Sequence, residues 1–223
     1  WMPVCASTET VLSKWLKEKP FLGNHSRVIV AARQNFGFGQ RGRVWQSPIG
    51  GVWLSAALPF ADNGYFAGLF GLAVAVALSE QLEKHGINVR IKWPNDLLVA
   101  NRKLAGLLPG LVYRGGVLRL ARIGIGLNVA NKSPEGAISL WEIQRSSICK
   151  PIFWSVEVLL ALERAKNLAG SPDFVRLEVE RRLWAKEIID PHTEKEWRIK
   201  GIDVNGGLKL QRGSNRKTWT RWG

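Results

Sequence analysis

Cysteine is scarce in this chain. Of 223 residues only Cys5 and Cys149 are cysteines, and neither belongs to a CxxC pair. That excludes a disulfide framework and a cysteine-based zinc site, and it sets the expectation of a reducing, cytoplasmic location. Long hydrophobic runs are also missing. The longest, YFAGLFGLAVAVAL from Tyr65 to Leu78, has 14 residues, where a membrane span needs about 20. It reads as a buried helix, and no membrane partner is expected. The N-terminus lacks the basic, apolar, small-residue order of a secretory signal, and it opens Trp1-Met2, so residues before it can be absent. No internal repeat and no low-complexity linker is present. Acidic residues are in the minority, 18 Asp and Glu against 32 Lys and Arg, a net charge of +14. The imbalance favours polyanionic partners: nucleic acid, nucleotides or an acidic protein.

What is present is an ordinary globular composition, with 46% apolar residues, enough for a sizeable core. Val28 to Ala32 and Gly50 to Leu58 read as strands. A long helix is predicted from about Tyr65 to His85, with Gly86 as its stop. NVRIKW, DLLVA, LAGLLPGLVY and VLRLARIGIGLNV follow as strands, separated by turn signals at Asn101-Arg102 and Gly115-Gly116. Helices are predicted over Phe153 to Leu168 and Asp173 to Lys186, and Pro191 marks a boundary. The tail, EWRIKGIDVNGGLKLQRG, alternates around Asn205-Gly206-Gly207 as a β-hairpin should. The class is α+β: a mixed sheet backed by helices, then a small β-rich module.

GFGQRGRV, Gly37 to Val44, fits both the dinucleotide fingerprint and the kinase glycine loop. The first demands a helix after the loop. Only seven residues, Arg43 to Ile49, precede the next strand, and Pro48 is among them; no crossover helix fits. The second demands a lysine in a V-A-I-K-like strand, an HRD-type catalytic loop and a DFG metal site, none of which the chain has. What remains is a glycine loop with Arg41 and Arg43, which suits an anion or is a flexible surface turn.

Farther on, Trp93-Pro94-Asn95-Asp96 is a turn between strands, and Lys103 enters an apolar strand. A lysine there either snorkels at an edge or faces an anion. Gly124 to Val129, GIGLNV, permits close backbone approach and offers the Asn128 amide.

In order, STET (Ser7 to Thr10), RQNFGFGQRGRVW (Arg33 to Trp45), KWPNDL (Lys92 to Leu97), RKLAG (Arg102 to Gly106) and GIGLNV resemble the biotin–protein ligase family over essentially the whole chain. KWPND followed at this spacing by RKLAG is the specific signature. The resemblance implies a class II synthetase-like catalytic fold over residues 1–187 and an SH3-like β-barrel over 188–223. It implies ATP-dependent formation of biotinyl-5′-AMP, with Mg²⁺ carried mainly by the ATP phosphates. Transfer then goes to a lysine of a biotin carboxyl carrier protein, the acetyl-CoA carboxylase subunit.

By the same resemblance Lys103, Arg41, Arg43 and Asp96 are catalytic. Ser7, Thr8, Gln34, Gly39, Gln40, Lys103 and Gly106 contact biotin. Arg41, Arg43, Trp45, Lys92, Asn95, Lys103 and Asn128 contact ATP. Hydroxyls and an amide suit the neutral ureido head of biotin. Some members carry an N-terminal helix-turn-helix; the motifs here begin at Ser7, so ligase activity without DNA binding is expected. Members are monomers or homodimers.

Three departures stand out. Glu9 replaces the family's asparagine after Ser-Thr. Phe38 replaces a loop arginine. Pro109-Gly110 follows RKLAG and predicts a strand kink. The rivals are a lipoate or octanoate ligase or transferase of the same fold, and a basic nucleic-acid-binding protein, for which the 11 tryptophans could stack on bases.

Overall fold

The computed structural model describes residues 1–19, 25–59 and 67–220. The elements run β1 (Met2–Cys5), α1 (Thr8–Glu18), β2 (Arg27–Gln34), β3 (Val52–Pro59), α2 (Phe70–Lys84), β4 (Arg90–Lys92), β5 (Asp96–Val99), β6 (Arg102–Arg114) and β7 (Val117–Leu127). They continue with α3 (Leu140–Gln144), α4 (Pro151–Asn167), α5 (Pro172–Arg182), β8 (Glu187–Ile189), β9 (Glu196–Ile202), β10 (Leu208–Arg212) and β11 (Asn215–Trp219). Two compact units result: Trp1–Ala61 with Arg102–Leu160, and Asp62–Asn101 with Ala161–Gly223.

In the first unit the strand order is β1-β2-β3-β7-β6. β1 pairs with β2 in parallel and the other neighbours are antiparallel. β3 is buried from Val52 through Leu58, which is why its sequence is apolar at every one of these positions but Ser55 instead of alternating. Gly115 and Gly116, at φ 61° and 74°, supply the two positive φ values of a tight β6–β7 hairpin. The β6–β7 ladder runs through Pro109 and Gly110 in register, and the irregularity falls between Val112 and Tyr113. The irregularity expected at the proline is therefore displaced toward the hairpin end. Helix α1 packs Leu12 into a cluster with Ala57 and Leu120, joined by Trp15, Leu16, Ile29 and Val112. Its apolar residues recur at helical spacing, Glu9 lies in its first turn and Lys17 in its last, as the helix dipole favours.

The second unit is built on α2, whose face is buried almost all round from Phe70 to Leu82. The expected start of this helix at Tyr65 lies outside the described residues. β4 and β5 form an antiparallel hairpin around Trp93-Pro94, whose peptide bond is cis. Helix α5 stops at Arg182, short of the predicted Lys186. Leu183 turns extended, at φ −53° and ψ 132°, and makes a parallel bridge with Ile91. Arg182, 3% exposed, binds both carboxylate oxygens of Glu83 at 2.8 and 2.6 Å and so ties α5 to α2.

β11-β10-β9-β8 form a four-stranded antiparallel sheet. The β9–β10 hairpin falls where the sequence placed it. Asp203 caps its turn by accepting from the N–H groups of Asn205 and Gly207 at 2.8 and 2.7 Å. Among the described residues this sheet is consistent with the SH3-like module expected there, without the closure of a full barrel.

Candidate active site

The first unit holds most of the predicted site residues. Ser7 is the N-cap of α1 in extended conformation, and Thr8 opens the helix. Both are buried. Thr8 donates its backbone N–H and its hydroxyl to Gln34 Oε1 at 2.7 and 3.0 Å. Its Oγ1 also lies 2.8 Å from Ser55 Oγ, and Gln34 Nε2 donates to Ser47 Oγ at 2.8 Å. Ser55, Thr8, Gln34 and Ser47 thus form one chain of neutral donors and acceptors. Burial makes such a network rigid when satisfied. Beside it a cleft of about 550 Å³ is lined by Arg33, Gln34, Gln46, Ser47, Pro48 and Ile49.

Next to the network the sheet is bare. Gly106 of β6 and Gly126 of β7 are cross-strand partners, and the Trp45 indole lies over both. A methyl at Gly106 would stand 2.9 Å from Trp45 Cζ3, and one at Gly126 would stand 2.4 Å from Trp45 Cε2 and Nε1. Only glycine at both positions admits this contact. Lys103 Nζ sits 4.9 Å from the centre of the Trp45 ring, a cation–π geometry, and Trp53 meets Trp45 edge-on at 6.4 Å between centroids. The indole Nε1 is buried with no hydrogen-bond partner among the described residues.

Lys103 is held by its backbone. It donates to the Gly136 carbonyl at 3.0 Å, and its own carbonyl accepts from Ile138 N at 3.0 Å and Asn128 Nδ2 at 3.4 Å. Asn128 is buried, and its Oδ1 accepts from Asn131 Nδ2 at 3.0 Å. Both ends of the Asn128 amide are therefore engaged within the protein, fixing the strand that carries Lys103.

The glycine loop is a closed ribbon. Gly39 N donates to Arg43 O at 2.8 Å, Trp45 N donates to Gly37 O at 2.9 Å, and Phe38 bridges Val44. Gln40, Arg41 and Gly42 make a single 3-10 turn at its tip, with Arg41 at φ 58° and ψ 29°. Arg41 and Arg43 are exposed there. The remaining predicted residues, Lys92, Asn95 and Asp96, belong to the second unit. There Lys92 Nζ lies 5.1 Å from the Trp184 ring centre, and Trp93 Nε1 donates to Gly206 O at 2.9 Å.

Glu9, the departure from the family's asparagine, pairs with Arg122. Arg122 Nη2 donates to Glu9 Oε2 at 2.6 Å and to Ser13 Oγ at 2.7 Å. Sequence reasoning missed Arg122, Ser47, Ser55 and Asn131. Ser55 had a signal: it is the lone hydroxyl in an otherwise apolar strand, and a buried hydroxyl needs a partner. Arg122 had none, because its partner is 113 residues away.

A family model described as the biotin/lipoate A/B protein ligase family matches residues 1–128. The chain is 31% identical over 209 residues to the bifunctional ligase/repressor BirA of Salmonella typhimurium, which covers 85% of this chain. It spans 63% of that relative's length. It is also 31% identical over 137 residues to the biotin–[acetyl-CoA-carboxylase] ligase of Paracoccus denitrificans, covering 60% of this chain and 56% of that protein. Among solved structures it is similar to the Aquifex aeolicus biotin protein ligase in complex with biotin and ATP. That match has a TM-score of 0.74 and 25% identity, and covers 98% of this chain and 93% of the other.

Proposed function

This chain belongs to the biotin/lipoate A/B protein ligase family, and from that premise we propose that it activates biotin with ATP and transfers it to a carrier lysine. In the first step a biotin carboxylate oxygen bonds to the α-phosphorus of ATP, and pyrophosphate leaves. In the second the ε-amine of a lysine on a biotin carboxyl carrier domain attacks the acyl carbon, and AMP leaves. The observation that carries the reading is the pairing of a neutral hydrogen-bonding network with a lysine across a bare glycine floor. Thr8, Gln34, Ser47 and Ser55 suit a ureido ring, which has donors and an acceptor but no charge. A dithiolane or an octanoyl chain has no N–H and C=O to add to that network, so its polarity favours the ureido ring.

Lys103 has the charge to hold two anions, carboxylate and α-phosphate, close enough to react, and to neutralise charge as it develops. Arg41 and Arg43, exposed at the loop tip, are proposed to close over phosphate, with Gly39 and Gln40 walling the biotin side. Trp45 and Asn128 complete the adenylate contacts in this proposal. The roles of Lys92, Asn95 and Asp96 rest on the motif alone. Mg²⁺ is proposed to be carried mainly by the ATP phosphates. The ion would arrive on the triphosphate. The complex of the Aquifex relative with biotin and ATP supports this pair of substrates.

Incubation with biotin, MgATP and a biotin carrier domain should label the carrier and release pyrophosphate. Lys103→Ala should lower labelling by about a hundredfold or more, the usual loss on removing a charge-stabilising donor. Folded wild-type protein that labels nothing, or that is stabilised by lipoate and not by biotin in a thermal-shift comparison, would overturn the reading.

A further inference from the structure

Beyond Arg182 the chain leaves α5 and runs extended beside β4. Leu183 bridges Ile91 in parallel, and the Trp184 backbone N–H donates to the Ile91 carbonyl at 2.9 Å. The Trp184 indole N–H donates to Asn101 Oδ1 at 2.8 Å. Asn101 belongs to the turn that follows β5, where Ala100 and Asn101 both have positive φ, 48° and 62°. The indole is thus fixed at two points, through its backbone to β4 and through its ring nitrogen to that turn. It nevertheless stays 41% exposed, so burial alone does not account for the effort of fixing it.

What the ring holds is Lys92. The ammonium stands 5.1 Å from the ring centre, and among the described residues no carboxylate pairs with it. The kind of partner matters. A carboxylate would orient the ammonium and cancel its charge. An indole face attracts the cation through the ring quadrupole, and leaves its charge and its three N–H donors for another group. A lysine held in this way also has less rotamer freedom to lose when an anion binds. Resting on the ATP-using reading above, in which Lys92 meets a phosphate, we infer that Trp184 is a positioning residue for that lysine. It pre-sets the ammonium and leaves it un-neutralised for the triphosphate. Lys103 on Trp45 is the same device, but Trp184 lies in none of the five motifs, and its anchor Asn101 is 83 residues away in sequence.

The test follows pyrophosphate release against ATP concentration at saturating biotin, with biotin affinity measured separately by calorimetry. Lys92→Gln should raise the KM for ATP about tenfold or more, the worth of a hydrogen bond to a charged group. Trp184→Leu removes the ring face and should raise the same KM about three- to tenfold. It should leave biotin affinity as in wild type and add nothing in the Lys92→Gln background. Trp184→Phe keeps a face under the ammonium and should recover most of the loss. If Trp184→Leu fails to fold, Asn101→Gly, which suits the positive φ and frees the indole, should raise the KM about threefold. Three results would each overturn the positioning role and leave the ligase reading intact: a wild-type KM in the folded variants, Trp184→Phe as impaired as Trp184→Leu, or a Trp184→Leu effect that persists without Lys92. Lys92→Gln with an unchanged KM would overturn the phosphate contact of the lysine, and the positioning role with it. Wild-type protein that releases no pyrophosphate would overturn the ligase reading on which both rest.

Discussion

At Gly126 a single hydrogen atom decides what can lie on the sheet. A methyl there would occupy the space of the Trp45 indole, so Gly126→Ala must either expel the ring or push β7 from β6. Overpacking of this kind costs about 1–3 kcal/mol. The variant should show a lowered melting temperature together with weakened biotin binding, measured by thermal shift with and without ligand. A variant as stable as wild type would mean that the ring leaves the floor freely. The residue scale is also where sequence reading reached furthest. Thr8, Gln34, Trp45, Lys103 and Gly106 were picked out from motifs, and all are in the first unit. Glu9 was recognised as a departure, but its partner was invisible, because nothing local marks an ion pair closed between a helix and a distant strand.

At the scale of the element, the end of the chain is tied to β8 by an ion pair whose carboxylate is buried and whose ammonium is partly exposed. Asp190, just beyond β8, is 5% exposed and pairs with Lys217 of β11. The Lys217 ammonium also stands 4.2 and 5.0 Å from the Trp197 and Trp219 ring centres. Its hydrogen bond, followed by that of the His192 backbone N–H, draws the Asp190 carboxyl down to about 2. A carboxyl lowered by folding adds stability above its ordinary pKa of about 3.9, and that contribution fades as pH falls through about 2. Lys217→Met should therefore return Asp190 toward the ordinary carboxylate range in an NMR titration and flatten the loss of stability between about pH 4 and 2. An Asp190 carboxyl that still titrates near 2 would mean the backbone alone holds it down. The β9–β10 hairpin was legible from Asn205-Gly206-Gly207. Helix α1 is hidden behind the STET motif, although Ser7 ahead of Val11, Leu12, Trp15 and Leu16 is a helix start followed by an apolar stripe.

For the whole molecule, the charge of +14 acts at a distance. If the acceptor is an acidic carrier domain, opposite fields speed encounter and are screened by salt. The second-order rate of carrier labelling should then fall steeply between 50 and 500 mM salt, while adenylate formation, read as pyrophosphate release without carrier, changes far less. Equal sensitivity of both steps would place the salt effect within the catalytic unit. The α+β class and the succession of strands along the chain from β2 to β7 are readable because hydrophobic periodicity and turn glycines are local, whereas β1 and the order of strands in the sheet are not. Each of the two units is assembled from segments far apart in sequence.

The indole resting on Gly106 and Gly126 also bears on time. Any molecule bound against that floor must wait for the ring to lift, and the ring is held by contact area and one ammonium, with its own N–H unanswered. Capture then has two stages, a rapid encounter at the open rim and a slower unimolecular opening. At high ligand concentration the observed rate levels off at the frequency with which Trp45 leaves its seat.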